Sequence, residues 1–229
     1  MTTKRIVLIG AGNVAHHLAP ALLNAGLNLC QIYSRSIESA RELGKKTGIS
    51  YTADLFAVYP DCDIYIFCVS DDALLPLFKS LRINKNALIL HTSGSIPMSV
   101  FGAYVENYGV LYPLQTFSKK RVLNFGEVPL CIEASNESSR AVLLSVAEKL
   151  SSQVREISSE KRKKLHLAAV FANNFTNHLY GIAGKMLEEE GLDFSLLRPL
   201  IFETAHKVML LSPEEAQTGP ARRSDESIL

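Results

Sequence analysis

The chain has 229 residues, with 24 lysines and arginines against 23 aspartates and glutamates and a hydrophobic fraction of 47%. That is the composition of a globular protein long enough to bury a sizeable core in one large or two small domains. The near-neutral balance argues against nucleic-acid binding, and the single basic run, Lys161-Arg162-Lys163-Lys164, reads as the solvated end of a helix. No apolar stretch is long enough to span a bilayer and the first residues lead into a strand rather than a signal sequence, so a cytoplasmic location without membrane contact is expected. Cys30, Cys62, Cys68 and Cys131 lack Cys-x-x-Cys spacing, and the adjacent His16 and His17 would point to different sides of a helix, so no metal is expected.

The first element is an apolar strand, Ile6-Val7-Leu8-Ile9, that runs into Gly10-Ala11-Gly12-Asn13-Val14-Ala15. A Gly-x-Gly-x-x-Ala turn between a strand and a helix is the pattern of a dinucleotide site. Gly10 permits the tight turn, Gly12 lets the backbone approach a pyrophosphate, and Ala15 is small enough for close helix–strand packing. The free N–H groups of the helix start, at Asn13 and Val14, complement a diphosphate. Val14, Leu18, Ala21 and Leu22 mark the buried face of that helix, and Gly26 stops it.

A second strand, residues 29–33, leads into Ser34-Arg35-Ser36. An NAD site places Asp or Glu at the end of this strand to accept from the ribose hydroxyls, and that carboxylate would repel a 2′-phosphate. Here the carboxylate is missing. Ser34 and Ser36 can donate to phosphate oxygens and Arg35 can neutralise them, so NADP is expected, although Ser36 also suits a helix N-cap. A helix over 37–46 ended by Gly48 and a short strand at 49–51 follow, and then the near-continuous apolar strand 63–69. Asp71 and Asp72 open a helix over 73–81, and residues 86–91 form the fifth strand. Further strands near 108–111 and 129–133, a helix over 137–150 and a strand at 153–157 complete an α/β pattern, read as a doubly wound parallel sheet of the Rossmann type over residues 1–157.

From about Ser158 the pattern becomes helical, giving an all-α second domain over 158–229. Residues 161–190 carry Leu165, Ala168, Ala172, Phe175, Leu179, Ile182 and Met186 at alternating three- and four-residue spacing, the seam of one long helix. A second helix runs from 194 or 195 to about 211, with a bend expected at Pro199. Apolar residues on more than one side point to pairing of the C-terminal helices in a homodimer.

In an open parallel sheet the ligand sits beyond the carboxyl ends of the strands. That rule selects Gly10, Gly12, Asn13, Val14, Ser34, Arg35, Ser36, Val69 and Ser70 for the cofactor, and Ser93, Gly94 and Ser95 for the nicotinamide amide or a substrate. Residues 111–117 read either as a loop over the cofactor or as a plain connection. On the long helix His166, Asn173, Asn177 and Tyr180 share one stripe and Asn174, His178 and Lys185 its neighbour. Three asparagines in five positions cost helix propensity, which points to a polar task. Asn173 and Asn174 are therefore candidates for orienting a small-molecule substrate or, alternatively, for hydrogen bonding across a dimer seam. His178, by its near-neutral pKa, His91, by its position, and Lys185 are candidates for moving a proton.

The glycine turn, Tyr33-Ser34-Arg35-Ser36, His91-Thr92-Ser93-Gly94-Ser95, Tyr112-Pro113-Leu114-Gln115-Thr116-Phe117 and the Asn-rich helix together resemble, over almost the whole chain, a bacterial family described as NADP oxidoreductases. That family couples a Rossmann domain to a C-terminal helical domain of unknown function. Its first domain is similar to deazaflavin-dependent NADP oxidoreductases and pyrroline-5-carboxylate reductase, its second to 6-phosphogluconate dehydrogenase. The resemblance implies NADP as cofactor and hydride transfer involving a small polar metabolite. The hydroxyacid dehydrogenase relatives place a catalytic Lys four residues before an Asn on the long helix. In this chain Ala169, Val170 and Asn173 stand four residues before Asn173, Asn174 and Asn177. The missing Lys leaves a non-catalytic NADP(H)-binding sensor or scaffold as the competing expectation. The helical domain is also expected to be incomplete, because residues 219–225 fall where family members continue with further helix.

Overall fold

A computed structural model describes residues 4–218; the tail at 219–225, on which the expected incompleteness rests, lies outside them. Strand β1 (Arg5–Ile9) leads through the glycine turn into α1 (Asn13–Asn24), followed by β2 (Asn28–Tyr33), α2 (Ile37–Thr47) and β3 (Ser50–Thr52). Then come β4 (Ile64–Phe67), α3 (Asp71–Ser80), β5 (Leu88–His91), β6 (Tyr108–Pro113), β7 (Leu130–Ala134), α4 (Glu137–Leu150) and β8 (Val154–Glu156). The eight strands form one sheet in the order β3-β2-β1-β4-β5-β6-β7-β8. Chain order reverses between β1 and β4, which puts the ligand crevice at the carboxyl ends of those two strands.

Strand alternation explains the two-faced core. Ile6 and Leu8 pack with Leu18, Leu22 and Leu143 on one face, while Val7 and Ile9 join Tyr65, Phe67 and Phe78 on the other. Both faces are covered, as the near-continuous apolar strands require. The sheet departs from the all-parallel expectation at one place, where β6 and β7 pair antiparallel with Tyr112 opposite Cys131. The cause is the connection, since residues 114–129 contain only a 3₁₀ turn at Phe125–Glu127 and no crossover helix.

The long helix runs thirty-one residues in three parts. α5 (Ser159–Ala169) and α6 (Thr176–Glu189) are joined by a π-helical segment, Val170–Phe175. The Thr176 hydroxyl donates to the Phe171 carbonyl five residues back, at 3.2 Å. The turn at 170–175 is therefore wider than the regular 3.6-residue turn on which the polar stripe was counted. Arg162 corrects the solvated reading of the basic run, being 1% exposed. Pro199 corrects the expected bend. It lies in the first turn of α7 (Arg198–Leu210), where a missing N–H costs nothing, after a single 3₁₀ turn at Phe194–Leu197.

The chain divides after Val170 into two compact units. In the second, α6 and α7 bury no residue fully, and Phe175, Leu179, Ile182, Met186 and Phe202 are exposed. No helix among the described residues is long and apolar enough to cross a membrane.

Candidate cofactor and substrate site

The crevice at the carboxyl ends of β1 and β4 holds two cavities with a shared wall. Gly12, Cys68, Val69 and Ser70 line both. The first, about 640 Å³, extends over Gly10, Tyr33, Ser34, Arg35, Ser36 and Ser39. The second, about 410 Å³, is lined by Asn13, Val14, Asp71, Ser93, Gly94, Ser95, Tyr112, Gln115, Phe117 and His166. Both volumes are in the range of small-molecule sites.

The two glycines of the turn have different work. Gly10 has φ 113°, and a Cβ there would strike the Cys68 carbonyl, so it is required by the fold itself. Gly12 faces open space, with nothing within 4 Å of a built Cβ. It is the N-cap of α1 and offers no side-chain cap, so the first N–H groups of that helix stay available to an anion. A diphosphate fits the gap that a side chain would close.

At the end of β2, Ser36 caps α2, accepting from Ser39 N at 3.2 Å while its hydroxyl donates to Glu38 at 2.7 Å. The Arg35 guanidinium is exposed and has no side-chain partner among the described residues. With Ser34 beside it and no carboxylate in this wall of the cavity, the donor set fits a 2′-phosphate.

The second cavity brings together residues that lie far apart in sequence. The Ser95 hydroxyl donates to the Asp71 carboxylate, and the Ser93 hydroxyl accepts from Ser95 N and Ile96 N at 3.2 and 3.0 Å. Tyr112, at the end of β6, lies 3.0 Å by its hydroxyl from His166 Nδ1 on α5. Burial pushes the Tyr112 phenol up to about 12, so it stays protonated and shares a hydrogen bond with Nδ1. A Cβ on Gly94 would come within 2.5 Å of that same Nδ1, which is why this loop position has no side chain.

His166 is held by a buried clasp one turn earlier on the helix. Arg162 donates to Glu133 at 2.7 Å and to the Ile96 carbonyl at 2.6 Å. Glu133 also accepts from Ser159 N and Oγ, at 2.9 and 2.6 Å, and Ser159 Oγ accepts from Met98 N. Burial alone would raise the Glu133 carboxyl, but the hydrogen bonds from Ser159 and Arg162 outweigh it and hold the group below its ordinary value. The strand β7, the loop after β5 and the start of α5 are thereby tied together.

His91, a candidate proton donor by its position, lies in the buried core rather than in the cavity lining. It is 0% exposed, burial pushes it down to about 4, and its Nδ1 accepts from Ser93 N at 3.2 Å. It is a neutral support for the loop. Asn173, Asn174 and His178 belong to the second unit, where all three are exposed and Asn173 donates to Asn174 at 3.3 Å. Tyr112 and His166 line the second cavity although sequence reasoning gave neither of them a role at the site. Residues 111–117 contribute Tyr112 from β6, which runs to Pro113 where only a loop or a connection was expected, and Phe117 from the loop that follows.

Fold and site define a Rossmann-type dinucleotide-binding unit followed by a helical region. The family model for coenzyme F420-dependent NADP oxidoreductase matches residues 5–93, and that for a domain of unknown function, DUF2520, matches residues 128–229. A Bacteroides fragilis protein provisionally assigned as an NADP oxidoreductase is 49% identical, with a TM-score of 0.93 over 98% of this chain and 88% of that one. The chain belongs to the family of that protein. A Thermotoga maritima protein, 24% identical, shares the fold at a TM-score of 0.75 over 97% of this chain and 86% of that one. Pyrroline carboxylate reductase from Plasmodium falciparum, with NADP bound, is 15% identical and has a TM-score of 0.65 over 100% and 85% of the two chains. No curated protein matches the chain.

Proposed function

We propose that this chain is an NADP(H)-dependent oxidoreductase acting by hydride transfer on a small polar molecule, and that it works in the cytoplasm as a homodimer. The observation that carries the cofactor reading is the unpaired Arg35 beside Ser34, in a cavity that continues to the open Gly12 turn. The cofactor, when bound, supplies or accepts the hydride. The α1 N–H groups at Asn13 and Val14 would hold its diphosphate, Arg35 and Ser34 its 2′-phosphate, and Val69 and Ser70 the ribose on the side of the second cavity.

Asp71, Ser93, Ser95 and Gln115 give the substrate end a polar lining. His166 is the group we assign to proton transfer there. The hydrogen bond with Tyr112 at Nδ1 fixes its ring and leaves Nε2 to face a ligand. This pair favours catalysis over a cofactor-sensing role, since a sensor has no need of a positioned imidazole beside the nicotinamide end. The exposed Leu179, Ile182, Met186 and Phe202 support pairing of α6 and α7 with a second copy.

Fluorescence titration with NADPH and NADH tests the cofactor reading. The wild-type protein binds NADPH more tightly, and Arg35→Ala loses about tenfold in NADPH affinity, a charge-assisted hydrogen bond at a solvated site, with NADH unchanged. Equal affinity of the wild type for the two nucleotides would refute it.

A further inference from the structure

A third cavity, about 470 Å³, lies on the other side of α1, between the ends of α2 and α4 and residues 119–126. Lys46, Lys119, Arg121 and Lys149 line it and no carboxylate does. Local structure accounts for some of this charge. Lys46 and Lys149 sit in the last turns of α2 and α4, where cations complement the helix dipoles. The Lys46 amine also takes the His16 carbonyl, at 3.3 Å, which Pro20 four residues on cannot bond. Lys119 pairs with Glu42 at 2.8 Å. Arg121 is on a loop with no side-chain partner among the described residues, and Lys149 has none either.

A second observation is independent of charge. His16 lines this cavity and is 3% exposed. Its Nδ1 faces the Gly12 carbonyl at 3.1 Å and must carry the ring proton to bond it. Burial holds the imidazole below its ordinary pKa, which favours the neutral ring with Nε2 as an acceptor, and among the described residues Nε2 has no hydrogen-bond partner. The nearby Glu42 Oε1, at 3.4 Å, is another acceptor and cannot satisfy it. A buried acceptor without a donor is costly and is met by a ligand hydroxyl or a water.

We propose that this cavity binds a small phosphorylated metabolite, with Lys119, Arg121 and Lys149 on the phosphate and His16 Nε2 accepting from a hydroxyl of the ligand. Two contacts connect it to the crevice on the far side of the helix. One is the His16 bond to the Gly12 carbonyl in the glycine turn. The other is the contact between His17 and Phe117, with ring centroids 5.2 Å apart, since Phe117 lines the second cavity. By linkage, an occupant that tightens these contacts changes cofactor affinity, and the cofactor changes the occupant's affinity equally.

The test is calorimetric titration of the full chain with inorganic pyrophosphate and with glycerol 3-phosphate, each with and without saturating NADPH. Binding of either probe that survives NADPH and weakens at least tenfold in Arg121→Ala/Lys149→Ala is the expected result. Those side chains are exposed, so the variant keeps its fold, verified by an unchanged melting temperature. Binding abolished by NADPH would place the probe in the cofactor's own phosphate sites and overturn the proposal. So would no binding of either probe, or equal binding by the variant. The comparison with the variant reads this cavity whether or not NADPH itself binds.

Discussion

Removing the Glu133 carboxylate while leaving Arg162 in place should be among the most damaging single changes to the first unit. Glu133→Ala strips the guanidinium of its only anionic partner among the described residues, at a position 1% exposed. Its hydrogen bonds to the Ile96 carbonyl and Ser159 Oγ remain, and Nε has no partner among the described residues even in the intact protein. An uncompensated buried charge of this kind costs about 3–5 kcal/mol. Ser159 N and Oγ lose their acceptor at the same time. With a urea m-value of about 2.5 kcal/mol/M, the unfolding midpoint should fall by about 1–2 M. Arg162→Met/Glu133→Leu, which removes both charges, should recover most of the loss, because burying the pair is itself expensive.

The pH dependence of that difference follows from the depressed carboxyl. Glu133 contributes stability above its ordinary value of 4.5, and the contribution is lost as pH falls through the lower folded-state value. The gap between wild type and Glu133→Ala should therefore be full at neutral pH and close in acid. Urea titrations at neutral pH and below pH 4 measure it; a midpoint shift under about 0.5 M at neutral pH would refute the buried-charge argument.

Gly94→Ala should push the His166 ring back by about 1 Å to restore ordinary van der Waals separation, breaking the 3.0 Å bond from Tyr112. Its His166 ring shifts, read by NMR, should move toward those of Tyr112→Phe; shifts matching the wild type would rule out the contact. His91, pushed down to about 4 by burial, makes the protein lose about 3 kcal/mol as pH falls from 6.5 to 4, because only the unfolded chain binds the proton there. His91→Asn should flatten that stretch of the stability curve, and an equally steep curve in the variant would assign the loss to other groups. Ile182→Asp/Met186→Asp should convert a dimer to a monomer in light scattering while leaving NADPH affinity in place, whereas a monomeric wild type would end the pairing proposal.

The cofactor end of the site was legible because it is local. Strand, glycine turn and helix follow one another within Arg5–Asn24, and Ser34-Arg35-Ser36 closes the next strand, so spacing alone puts both at one sheet edge. The substrate end was not, because its parts are joined by pairings that no short window contains. Tyr112 and His166 are separated by 54 positions. They meet only because β6 turns back antiparallel onto β7 and Glu133 on β7 grips the start of α5. Arg162 was hidden by its lysine neighbours. A run of four cations reads as solvated, yet one of every three or four positions on a docked helix faces inward, and the long arginine stem reaches the buried carboxylate from there.

The asparagines show the same limit from the other side. Their cost to helix propensity did mark something, since Asn173 and Asn174 fall inside the π-helical segment. What composition could not give was the consequence. An i→i+5 turn carries more residues than an α turn, so a count at 3.6 residues does not apply across it. His166, before the π segment, lines the second cavity of the first unit, whereas His178, after it, belongs to the second unit. The proton-transfer role we propose goes to His166 because its ring is held against Tyr112 in that cavity.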